Sequence, residues 1–168
     1  MRKRLFLLLL AFISLCQMYA VERTKLNFNG GWLLKVGDFQ GAELANYKDA
    51  GWKQITLPRA FNEKEAFKVS IEHLSDTIMW YRKHFHIQEV GDRKYFIEFE
   101  GVRFGADIWL NGKKVGYTEN GVMASGFDLT PYIIKGENVI AVRVDNSWNY
   151  RERTSGCLLY TSPSPRDT

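Results

Sequence analysis

One dipeptide, Asn111-Gly112, limits what this chain can fold into more than any other feature. It interrupts "ADIWLNGKKVGY", in which Ala106, Ile108 and Leu110 alternate with Asp107 and Trp109. Strict alternation places every second side chain on one face, as in a half-buried strand. Asn followed by Gly tolerates the two positive φ angles that a two-residue hairpin turn demands. The segment therefore predicts an antiparallel hairpin.

Other stretches carry the same texture. "GWLLKV" (Gly31 to Val36) and "WKQITLP" (Trp52 to Pro58) read as short strands, separated by a loop with Gly37, Gly41 and one helical turn around Glu43 to Tyr47. "MWYRKHFHI" (Met79 to Ile87) sets Tyr81, Phe85 and Ile87 against Arg82, His84 and His86 on the opposite, solvent-facing side. "KYFIEFEG" sets Tyr95, Ile97 and Phe99 against Glu98 and Glu100, and these two strands are expected to pair. A last strand covers Asn138 to Asp145 after a turn at Gly136. Short strands between turn residues, with no long helical period and no internal repeat, indicate an all-β fold, an antiparallel β-sandwich of jelly-roll type. Trp32, Trp52, Trp80 and Trp109 fall on strand patterns and are assigned to the core or a domain interface.

The first twenty residues stand apart. Arg2, Lys3 and Arg4 precede an apolar run from Leu5 to Leu15 and a polar stretch ending at Ala20. The run is shorter than the roughly 20 apolar residues that span a bilayer, so it reads as a secretory signal peptide cleaved after Ala20. The expected location is secreted or periplasmic, with no membrane attachment after cleavage. Lipidation at Cys16 is the rival, opposed by the bulk of Leu15 before it. The formal charge of +4 is mostly a property of this leader, because losing its three basic residues leaves 20 Lys and Arg against 19 Asp and Glu. No basic stripe of the kind that binds phosphate backbones remains, so a nucleic-acid partner is not expected. Cys16 and Cys157 flank a body without cysteine, which must be stabilised by packing. With 168 residues, 45% of them hydrophobic, there is material for one core.

Few residues suggest chemistry. Glu63 with Glu65, Glu98 with Glu100, and Asp145 with Glu152 are the local carboxylate pairs, and on a strand such spacing describes a solvent face. His84 and His86 share a strand face, and His73 could add a third metal ligand, but two imidazoles flanking a core Phe read as surface residues, and no metal or cofactor is expected. No catalytic-triad spacing or phosphate-cradling Gly loop occurs. "DNSWNYRERTSG" is the most informative polar stretch. It gathers Asp145, Asn146, Asn149 and Arg151 around Trp148 and Tyr150. Aromatic rings stack on pyranose faces while amides and carboxylates take hydroxyls, so this mixture suits a sugar.

"LPRAFNEKEAF", "WYRKHFHI", "FIEFEGVRFGADIWLNGKKVGYTENGVMASGFDLTPYI" and "ENVIAVRVDNSWNYRERTSG", in that order, together resemble the N-terminal sugar-binding domain of glycoside hydrolase family 2, and most of all that of its β-galactosidase-like members. The resemblance covers about Leu26 to Gly156. It implies a retaining exo-hydrolase of terminal β-glycosides, a galactose-binding-domain-like jelly roll over residues 21–156, and a continuation into an immunoglobulin-like domain and a (β/α)₈ barrel bearing both catalytic glutamates. Those two domains and the carbohydrate substrate are then the partners. The chain reads as a fragment, inactive by itself. By position after the "VIAVRV" strand, the loop from Asp145 to Arg153 corresponds to one that helps build the terminal-sugar subsite; capping the sandwich or packing a neighbouring domain is the other reading. Arg59, Asn62 and Glu63 in the Leu-Pro loop form a second candidate for the same rim. A free-standing carbohydrate-binding module, or a purely structural sandwich, would share the fold without the hydrolysis. The tail "CLLYTSPSPRD" (Cys157 to Asp167) resembles a translated sequencing-library transposon adapter, so residues 157–168 are set aside from the native domain.

Overall fold

The computed structural model describes residues 23–59, 77–102, 105–119 and 123–146. Their strands are β1 (Trp32–Val36), β2 (Lys53–Ile55), β3 (Ile78–Ile87), β4 (Phe96–Phe99), β5 (Gly105–Leu110), β6 (Lys113–Thr118), β7 (Ser125–Asp128) and β8 (Gly136–Asp145). β5 and β6 form the hairpin that the sequence predicts, with φ of 53° at Asn111 and 80° at Gly112. The Asn111 side chain also fastens the turn to its surroundings. Its Nδ2 donates to Tyr132 O (3.0 Å) and Asn138 Oδ1 (2.8 Å), and its Oδ1 accepts from Val139 N (2.9 Å).

Six strands form an antiparallel sheet in the order β2-β1-β3-β8-β5-β6, and β4 pairs with β7 in a second, two-stranded sheet. The main core lies between the sheets. Trp32, Leu34, Met79, Ile108, Leu110, Ile140, Val142 and Val144 face Ile97, with Phe99 and Phe127 packed beside it. Thr118 Oγ1 and Ser125 Oγ, 2.9 Å apart, tie β6 to β7. A bulge between Ile108 and Trp109 shifts the β5–β6 register. Gly116 belongs to this join: a Cβ there would sit 2.5 Å from Phe127 Cδ1 and Cε1.

The expected pairing of β3 with β4 does not occur. Both edges of β3 are taken, by β1 and β8, and β4 crosses to the other sheet, where Ile97 reaches the core from the opposite side. Nor is the far face of the large sheet a plain solvent face. The segment from Gly37 to Trp52 lies over it as a cover built of successive turns, with Ala42 N on Phe39 O, Leu44 N on Gly41 O and Tyr47 N on Leu44 O, in place of the expected helical turn. Ala42 and Trp52 of this cover bury Trp80 and Ala141 of the sheet, joined by Phe39, Tyr47 and Trp109. The tryptophans on strand patterns thus divide as expected of core residues. Trp32 fills the main core, and Trp80 stacks on Trp109 beneath the cover with centroids 5.3 Å apart.

Candidate functional site

Of the residues singled out for sugar contact, Asp145 and Asn146 are described at the end of β8, beside the starts of β3 and β5. Asp145 is level with Ile78 and Gly105, and Asn146 N bonds Thr77 O at 3.0 Å. Trp148, Asn149, Tyr150, Arg151 and Asn62 lie outside the described residues. Arg59 is half-buried. Leu57, two residues before it, bonds Asn29 ahead of β1, and the start of β1 is level with Lys83, toward the opposite end of β3 from Asp145. The described backbone therefore brings Asp145 and Asn146 together and starts the Leu-Pro loop at the other end of the sheet.

Asp145 is held by a chain of polar contacts that local sequence does not announce. Arg143, two residues earlier on the same face of β8, donates from NH1 to Asp145 Oδ2 at 3.4 Å. Its Nε and NH2 grip both oxygens of Asp38, at 3.0 and 2.7 Å. Trp80 Nε1 adds a bond to Asp38 Oδ1 at 3.0 Å. The paired bonds from Arg143, helped by Trp80, hold the Asp38 carboxyl below the usual carboxylate range, and Asp38 in turn raises the Arg143 guanidinium. Asp107, level with Arg143 on β5, takes Lys114 Nζ at 2.6 Å. Cover, sheet and the end of β8 are thereby tied into one arrangement.

A second knot lies along the same face. Arg82 is fully buried, with Nε on Asp49 Oδ2 at 2.8 Å and NH1 on the carbonyls of Ala42 and of Leu44, the latter at 3.0 Å. The same Asp49 oxygen meets His84 Nε2 at 2.8 Å, and His84 Nδ1 meets Glu137 Oε1 at 2.9 Å. Burial pushes the Asp49 carboxyl up, but the bonds from Arg82 and His84 outweigh it and hold the group low. Both His84 nitrogens face carboxylates, so the ring is not placed as a metal ligand; among the described residues no group of three potential ligands converges, and His73 lies outside them. Arg82, expected to face solvent, is buried beneath the cover, and His84, exposed as expected, also bonds the cover through Asp49. The signal that could have revealed this is the apolar content of the turn-rich stretch itself: Phe39, Tyr47 and Trp52 belong on a surface they can cover.

A scan against family models matches residues 53–164 to the glycosyl hydrolase 2 galactose-binding domain-like family. The chain belongs to glycoside hydrolase family 2. Among curated members of the family, a β-glucuronidase of Formosa agariphila is 40% identical over 134 residues, 74% of this chain and 14% of its own length. A β-galactosidase of Bacteroides ovatus is 33% identical over 147 residues, 82% of this chain and 17% of its own. Among solved structures, Bacteroides uniformis β-glucuronidase 2, covalently bound to cyclophellitol-6-carboxylate aziridine, superposes with a TM-score of 0.70 at 26% identity, covering 75% of this chain and 15% of that one. The chain thus spans about a sixth of the length of the family 2 enzymes it matches. The family match runs past Gly156, where the sequence reading ends the domain.

Proposed function

We propose that this chain is the N-terminal, sugar-binding-type domain of an exported retaining exo-β-glycosidase, and that it shapes the terminal-sugar subsite without carrying the catalytic carboxylates. The match to one domain of family 2, at about a sixth of the length of its relatives, is the observation that supports it most. The described carboxylates agree with a supporting part. Retaining hydrolysis needs one carboxylic acid with a raised pKa about 5 Å from a carboxylate nucleophile. Asp38 and Asp49 are shifted the other way, held as anions by Arg143 and Arg82. In this reading Asp145 and Asn146 begin the loop that reaches the sugar, Trp148 stacks on its apolar face, and Asn149, Tyr150 and Arg151 take hydroxyls, while Arg59 and Asn62, whose loop starts at the other end of the sheet, are a second and separate candidate contact. A downstream immunoglobulin-like domain and barrel complete the enzyme. Residues 1–20 export it.

The substrate is a terminal β-glycoside, with a β-galactoside as the first candidate and a β-glucuronide as the second, since the relatives bear both names. The test is to express the gene product with its downstream sequence and assay p-nitrophenyl β-galactoside and β-glucuronide, with the 168-residue chain alone as control. Turnover by the long form and none by the short one is expected. Turnover by the short form would refute the division of labour, and glycan binding without hydrolysis by the long form would leave a carbohydrate-binding module.

A further inference from the structure

We propose that His84 is a proton-operated latch that fastens the Gly37–Trp52 cover to β8. His84 Nε2 is 2.8 Å from Asp49 of the cover, and Nδ1 is 2.9 Å from Glu137 of β8. Ionised carboxylates only accept hydrogen bonds, so each ring nitrogen must bring a proton, and the ring that satisfies both contacts is the imidazolium. A neutral ring has one N–H and one lone pair, and the lone pair would face a carboxylate.

Which contact is lost follows from burial. The Asp49 side chain is 14% exposed and already shares its oxygen with Arg82 Nε, whereas the Glu137 side chain is 70% exposed. The remaining proton therefore stays on Nε2, and Glu137 turns to water. Asp49 of the cover is then held by Arg82 and by a neutral rather than a charged His84 N–H, and the link through the ring to β8 is broken, while Asp38 keeps its grip on Arg143 further along. Among the described residues, the charged and titratable groups facing the ring are Asp49 from the cover, Glu137 from β8, and Arg82 at the neighbouring outward position of β3; His86, the next outward position on the other side, is level with Glu137. Burial and the Arg82 charge oppose protonation, and the bonds to the two carboxylates outweigh them, so the ring titrates above the ordinary 6.5. For a base whose folded pKa is raised, the stabilising contribution is complete below 6.5 and is lost as pH rises through the folded value. The latch is closed below 6.5 and opens as pH rises through the raised folded value.

The test uses the full ¹⁵N-labelled chain, reading the His84 ring nitrogens by NMR across pH together with amide exchange in the cover. A midpoint above 6.5, lowered by Glu137→Gln, is expected. After correction for intrinsic base catalysis, the Leu44, Tyr47 and Trp52 amides should exchange about two- to five-fold faster, relative to β8, once His84 is deprotonated. That acceleration should be absent from His84→Gln. A midpoint at or below 6.5, or a midpoint unmoved by Glu137→Gln, overturns the two-carboxylate arrangement; cover amides indifferent to the titration overturn the latch.

Discussion

Among the described residues, Arg82 and Asn138 are fully buried polar side chains where an apolar one would have been simpler, and each is bonded on several sides. Arg82 reads in the sequence as one of three polar residues opposite Tyr81, Phe85 and Ile87, and that alternation is correct. Its partners, Ala42, Leu44 and Asp49, lie some forty residues upstream, a distance over which residue spacing carries no information. Removing one partner of a buried pair strands the other, so Arg82→Ala should cost about 3 kcal/mol, read as a lower urea midpoint. Arg82→Met with Asp49→Leu should recover part of that loss, because no charge is left unpaired although the Ala42 and Leu44 carbonyls and His84 Nε2 still lose a partner. Asn138 is fully buried as well. Its Oδ1 accepts from Asn111 Nδ2 and Ile134 N, and its Nδ2 donates to Ile134 O at 2.7 Å and Gly136 O at 3.1 Å. Asn138→Ala should destabilise by about 2 kcal/mol in thermal melts, since several part-buried bonds to Asn138 are lost together.

Hairpin and strand are legible to different degrees for a physical reason. The β5–β6 hairpin is encoded within its own residues, because Asn111-Gly112 supplies the turn and the flanking alternation supplies the face. Partner choice is not local. β3 and β4 follow each other in the chain and both alternate, yet one joins the large sheet and the other the small one. β7, "SGFD", escapes notice as a strand because four residues with Gly126 and Asp128 carry little β signal, and its Phe127 matters only through what it meets. That meeting gives a prediction at this scale. Gly116→Ala forces a methyl against the Phe127 ring and should lower stability by about 1–3 kcal/mol, with Phe127→Leu in the same background recovering part of it. Melting temperatures of the two variants check this.

Across the whole molecule, stability should have a different origin at each pH limit. On the acid side the depressed carboxyls of Asp38 and Asp49 contribute in full above their ordinary value of 3.8, and that contribution disappears as pH falls through their lower folded values. As pH rises above 6.5, the contribution of His84 is lost on passing its raised folded value. A melting profile against pH should therefore be flat between these limits, with Asp38→Asn removing part of the acid slope only. The fold class was legible because turn residues and alternation recur along the chain. The rim proposed above rests on composition, through Asp145, Asn146 and the aromatic residues after them, whereas the support of Asp145 was not legible: Arg143 reaches Asp38 across 105 positions. The strand that carries this rim also has a particular place in the order of synthesis. β8 is the last of the described strands yet sits between β3 and β5 near the middle of the sheet. A ribosome that has not yet extruded Gly136 to Asp145 holds two half-sheets, each with an open edge where β8 belongs. Until those ten residues emerge the nascent domain exposes pairing edges to any neighbouring strand, and the same insertion that closes the sheet delivers Asp145 to its rim.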